Sequence, residues 1–183
     1  IKSKNYSKVS NIQNKSFELS LLLSLPASLG LIIASEEIVN GLFGYGSFTI
    51  NDVKMTADAL MFFGFGIVAF ALVKILANFF FARDNTKMPF YISSFIVFIN
   101  VSISITFFNQ IGFLIIPIAT SVSTWLGVVI FLYFLNKNDY LFLQKKLLKN
   151  ILKIIVSSCI MVLILKFVLE KYSNYLDYTY TYK

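Results

Sequence analysis

The chain has 183 residues, of which 57% are hydrophobic and 14% charged, with a formal net charge of +7. A mean hydropathy of +0.76 is not that of a water-soluble domain, and the basic residues sit between the apolar blocks, which points to a membrane rather than to nucleic acid. There is no histidine and one cysteine, Cys159, so the usual zinc and haem ligand sets and any Ser-His or Cys-His catalytic pair are excluded, and no catalytic residue, metal or cofactor is expected.

Residues 1–18 are polar and carry Lys2, Lys4, Lys8 and Lys15. No apolar run of signal-peptide length with a cleavage site follows, so the chain reads as one entered in mid-sequence. Five apolar segments then predict membrane helices at about 19–43, 57–82, 90–108, 113–135 and 151–169. Helices of that length span roughly 28–38 Å, enough to cross a bilayer with some tilt. The expected fold class is all-α, a polytopic helix bundle, because open sheets leave backbone groups unpaired in lipid.

The first segment contains Pro26 and Gly30, a candidate hinge or a static bend, and near its end Glu36 and Glu37, which could gate a path or simply sit at the interface. Asp58, at the expected start of the second segment, suits a helix N-terminus. Lys74 lies inside that segment, about 12 Å from its end. A lysine at that depth either faces an aqueous cavity, where it would attract an anionic headgroup, or snorkels to the interface. Arg83, Lys87 and Pro89 form a basic turn before the third segment. In the fourth, the Ser/Thr run 119–124 offers small residues for close helix approach. Residues 140–149 mix apolar and basic side chains; they read either as a helix lying on the membrane surface or as a basic extension of the fifth segment. Lys166, near the end of that segment, reads as an interfacial anchor.

The flanks on one side hold eleven Lys/Arg: Lys2, Lys4, Lys8, Lys15, Arg83, Lys87, Lys137, Lys145, Lys146, Lys149 and Lys153. The other side holds three, Lys54, Lys171 and Lys183. The asymmetry predicts residues 1–18 in the cytoplasm and the tail 170–183 on the far side, periplasmic in a bacterium.

The run Leu42-Phe43-x-x-Gly46-x-Phe48-Thr49-x-x-Asp52-x-x-x-Thr56-x-x-Ala59-Leu60 resembles a signature of the MurJ/MviN lipid II flippase family. The likeness continues through Gly66, the run 69–77 with Lys74, the run 79–83 ending in Arg83, and Thr86-Lys87-x-Pro89. Leu25-Pro26, Gly112 and the run 119–126 also fit. Asn78, Asn85, Met88 and Gly127 depart from the pattern. The resemblance implies five helices from the C-terminal lobe of a fourteen-helix, two-lobed transporter of the multidrug/oligosaccharidyl-lipid/polysaccharide exporter superfamily, in the bacterial inner membrane. It implies translocation of the undecaprenyl-pyrophosphate-linked peptidoglycan precursor by alternating access, with membrane lipid around it and an N-terminal lobe that a separate chain could supply. Lys74 falls where the family usually keeps lysine. The alternatives are a non-transporting membrane remnant that packs with a partner, and an exporter of another lipid-linked glycan.

Overall fold

The computed structural model describes residues 6–176. Residues 1–5 and 177–183, which include Lys2, Lys4 and half of the expected tail 170–183, lie outside the described residues, and the other half, 170–176, continues the last helix. Six α-helices follow one another: α1 (Tyr6–Ile33), α2 (Ser35–Phe43), α3 (Ile50–Phe81), α4 (Lys87–Ile111), α5 (Ile115–Lys137) and α6 (Lys145–Leu176). Four helical runs among the described residues are long and apolar enough to cross a membrane, the third being Lys87–Lys137 with 51 residues. That run turns at Gly112–Leu114, where Gly112 has φ +72°. Beyond the turn α5 packs back along α4, so the run holds two long helices and the described residues five.

The five long helices stand side by side in the order α6, α1, α3, α5, α4, with α2 laid on the start of α3. Phe17 of α1 meets Phe79 of α3, and Ser28 meets Gly64, so these two helices run antiparallel. α3 and α5 run parallel, since Phe62 and Phe65 are bonded by Ser121 and Trp125 while Phe80 packs on Phe131 further along both. The main core lies toward one end of the row. There Phe17, Leu76, Phe79, Phe80, Ile92, Phe131, Leu135 and Leu147 bring all five helices together. Smaller clusters join Leu21, Val68 and Ile154, and Val39, Val53 and Ala57.

In lipid, apolar burial alone does little to hold helices together; close approach and interhelical hydrogen bonds must do it. The helix contacts here fit that requirement. A Cβ on Gly64 would stand 2.8 Å from Ile32, and one on Gly66 2.7 Å from Ser121 Oγ. On Gly127 a Cβ would collide with Ile96. The hydroxyl of Ser28 donates to the carbonyl of Gly64 at 2.7 Å, that of Ser121 to Phe62 at 2.6 Å, and the Trp125 indole to Phe65 at 2.9 Å. Asn100 of α4 donates to Thr120 Oγ1 of α5 at 2.9 Å. The run 119–124 therefore makes the close approach that its small residues predict.

Helix limits differ from the hydropathy reading at several points. The segment expected at 19–43 is two helices. α1 starts at Tyr6, inside the expected polar flank, and passes unbroken through Pro26 and Gly30. The ladder lapses at Ala34 (φ −108°, ψ 22°), beyond the expected hinge. Hydropathy marks only the apolar part of a helix; the first turns of α1 are polar because they bond another part of the chain. α3 starts at Ile50, seven residues before the expected start, because Thr49 and Asp52 form a capping box. Thr49 N–H donates to Asp52 Oδ2 at 2.8 Å, and Asp52 N–H to Thr49 Oγ1 at 3.3 Å. Asp58 is thus more than two turns inside the helix and does not serve its N-terminus. Residues 140–144 are not helical, and Lys145–Lys149 are the first turns of α6, so the basic-extension reading holds rather than a separate surface helix.

Candidate functional site

Two features stand out on this frame: a polar joint where the lysine-rich ends of the helices meet, and an open stripe on α3.

The joint starts from α1. Ser10, Gln13 and Asn14 recur at helical spacing on one face, and all three are buried. A buried amide or hydroxyl must find a partner, and these find the extended segment 140–144 between α5 and α6. Gln13 Nε2 donates to the Tyr140 carbonyl at 2.7 Å and Gln13 Oε1 accepts from Phe142 N–H at 2.9 Å. Asn14 Oδ1 accepts from Gln144 N–H at 3.1 Å, and Ser10 Oγ donates to the Phe142 carbonyl at 2.8 Å. From the other side comes Arg83, just past α3. Its guanidinium donates to the carbonyls of Phe79 at 2.8 Å and Tyr140 at 3.0 Å, and lies 4.3 Å from the centre of the Tyr140 ring. The ring in turn meets Phe80 edge-on. Burial pushes the Arg83 pKa below its ordinary value, with Tyr140 opposing; an arginine so shifted is still a cation at neutral pH.

The joint holds no nucleophile–base pair. It is a clasp: one planar cation and three side chains bind the backbone that links α5 to α6. It thereby fastens α1, α3, α5 and α6 at one end of the row. The spacing of Ser10, Gln13 and Asn14 is a polar stripe visible in the sequence, and it passes unnoticed in a reading by hydropathy. Their partner segment lies more than 120 residues away, and nothing local announces it.

The stripe carries Lys74. Phe63, Phe70, Lys74 and Phe81 are all exposed and recur at steps of seven, four and seven residues. They lie on the face of α3 away from buried Leu76 and Phe80. Lys74 is thus a cation about 10 Å from the end of α3, set in an aromatic surface that no other described helix covers.

The remaining expected residues are dispersed. Pro26 and Gly30 are half-buried in an unbroken α1, and a Cβ on Gly30 would meet nothing within 4 Å. Glu36 and Glu37 open α2, where a carboxylate is stabilised by the helix dipole. Lys87 is exposed and Pro89 buried in the first turn of α4, a position that proline tolerates. Asn85 Oδ1 accepts from Met88 N–H at 3.2 Å and closes that turn. Lys166 lies 3.9 Å from Glu170 on the exposed side of α6. Among the described residues no group of three or more His, Cys, Asp or Glu could hold a metal ion.

A family model described as Lipid II flippase MurJ matches residues 1–182. A probable lipid II flippase MurJ of Rickettsia prowazekii is 31% identical over 175 residues, covering 96% of this chain and 34% of that protein. One of Rhizobium tropici is 33% identical over 161 residues, covering 88% and 30%. A solved structure described as lipid II flippase MurJ in an inward closed conformation superposes with a TM-score of 0.79 at 23% identity, over 90% of this chain and 34% of that one. The shared fold follows from that likeness. The chain spans about a third of the length of these relatives.

Proposed function

The chain belongs to the lipid II flippase MurJ family, and from that premise we propose that it is one section of a bacterial lipid II flippase. The substrate in this reading is the undecaprenyl-pyrophosphate-linked peptidoglycan precursor, carried from the inner to the outer leaflet by alternating access. The observation that carries it is the family match over residues 1–182. The path is shared with an N-terminal lobe, in the same protein or in a separate chain. The setting is the bacterial cytoplasmic membrane, with residues 1–18 cytoplasmic and residues 170–183 on the far side; the eleven-to-three Lys/Arg asymmetry supports that sidedness.

Two parts of the chain take different roles. The clasp around Arg83 makes the cytoplasmic ends of α1, α3, α5 and α6 move as one body, which is what rocking between two states requires. The open stripe of α3 faces the translocation path, and Lys74 offers its ammonium to the pyrophosphate there.

A depletion–rescue experiment tests this. The resident lipid II flippase is removed from a bacterium, and this chain is expressed alone and with an N-terminal lobe from a relative. Growth and cell shape restored by the pair, and not by the chain alone, is the expected result. Failure of both arms with verified membrane insertion would support a non-transporting remnant instead.

A further inference from the structure

On the flank of the row, α1 and α6 run parallel and leave a groove of about 510 Å³ between them. Lys15, Glu18, Leu19 and Leu22 line it from α1, and Asn150, Lys153 and Ile154 from α6. Polar residues come first along both helices and apolar residues follow. Asn150 Nδ2 donates to Glu18 Oε1 at 2.7 Å and ties the floor together. On the other side of Lys153 a second depression of about 410 Å³ runs along α6, beginning at Lys149 and continuing over Leu152, Val156 and Ile160. Lys153 therefore stands between two apolar tracks that lead away from one cationic head.

Lys15, Lys149 and Lys153 are all exposed, and none forms an ion pair with a carboxylate among the described residues, where Lys166–Glu170 is the pair found. Lys149 and Lys153 are one helical turn apart, so their charges repel. With Glu18 the local balance is three positive charges to one negative.

We infer that this groove is a binding site for an anionic glycerophospholipid of the membrane leaflet. Its phosphodiester sits between Lys15 and Lys153, with Lys149 behind. One acyl chain lies over Leu19, Leu22 and Ile154, and the other over Leu152, Val156 and Ile160. An apolar helix laid in the same groove would bury the lysines without a counter-charge, whereas a phospholipid supplies anion and apolar tails at the spacing that the lining presents. The inference needs the membrane setting of α1 and α6 and does not depend on transport.

The test uses the full chain, purified in neutral detergent and offered equal amounts of phosphatidylglycerol and phosphatidylcholine with identical acyl chains. Native mass spectrometry reads the retained lipid. Phosphatidylglycerol, whose phosphate charge is not offset by a choline, is expected to be retained about fivefold in excess. Lys15→Ala with Lys153→Ala brings the ratio close to one, Glu18→Gln raises it, and Lys137→Ala, at the end of α5, leaves it unchanged. Equal retention of the two lipids by the unaltered chain would overturn the inference, as would a preference that survives the double substitution. So would displacement of phosphatidylglycerol by an equal amount of a polyprenyl pyrophosphate, or a lipid-free dimer that covers the groove. Each of these results leaves the rescue experiment's outcome untouched.

Discussion

Arg83 is the residue on which most of the lysine-rich end depends. Its fork reaches carbonyls on α3 and on the α5–α6 link while its face covers Tyr140. Lysine cannot reproduce this, because a point charge has neither the fork nor the plane. Arg83→Ala removes the guanidinium bonds to Phe79 and Tyr140, the latter keeping only Gln13 as donor, and should cost about 1–3 kcal/mol in stability in detergent or bilayer, with Arg83→Lys intermediate. Thermal unfolding followed by circular dichroism measures both, and equal stability of all three proteins would remove Arg83 from the account. Lys74 behaves differently, being exposed on the open face of α3. Lys74→Ala should leave thermal stability unchanged while lowering rescue by the paired lobes at least tenfold, and Lys74→Arg should keep most of it. Both residues stand out in the sequence, Lys74 as a charge within an apolar run and Arg83 within a family-like motif. The partner of Arg83 does not, because Tyr140 is 57 residues further on and is brought back only when α5 has run beside α3.

At the scale of elements, the apolar runs mark each crossing but not its ends. α1 extends far into a polar stretch, since Ser10, Gln13 and Asn14 are satisfied by segment 140–144. The break after Ile33 is equally hidden in the sequence: proline and glycine are the residues at which helices most often bend, yet α1 passes both Pro26 and Gly30 and lapses at Ala34. Helix pairing rests on small residues. Gly66→Ala places a methyl against Ser121 and should separate α3 from α5, at about 1–3 kcal/mol. Adding Ser121→Gly to that change should recover part of the loss, although the bond to Phe62 goes with it. A double variant no more stable than Gly66→Ala alone would show that the contact is not limiting. The clasp can be opened separately. Gln13→Ala with Asn14→Ala should raise hydrogen exchange at Phe142 and Gln144, whose amides those side chains bind, while the middle of α3 stays protected.

As a whole molecule the chain is a single row of helices, fastened at one end and open on the faces of α4, α6 and the α3 stripe. Exposed Phe90, Phe95, Phe98 and Phe107 on α4 continue that apolar surface. The composition alone indicates a membrane setting for such surfaces, and the spacing of the basic turns predicts an orientation for them. The row spans about a third of the length of its relatives. Sidedness can be checked with cysteines introduced at Lys8 and Ser47 after Cys159 is replaced by serine. A membrane-impermeant thiol reagent applied to intact spheroplasts should label position 47 and leave position 8 unlabelled; the reverse pattern would invert the orientation. The measurement that bears most directly on the central claim is translocation itself. Vesicles containing this chain together with a complementary N-terminal lobe are loaded with labelled lipid II, and exposure on the opposite leaflet is followed with an impermeant quencher. Translocation that requires both parts, and that falls on Lys74→Ala, is the result expected of a flippase section. Exposure at the rate of empty vesicles with both parts inserted would contradict it.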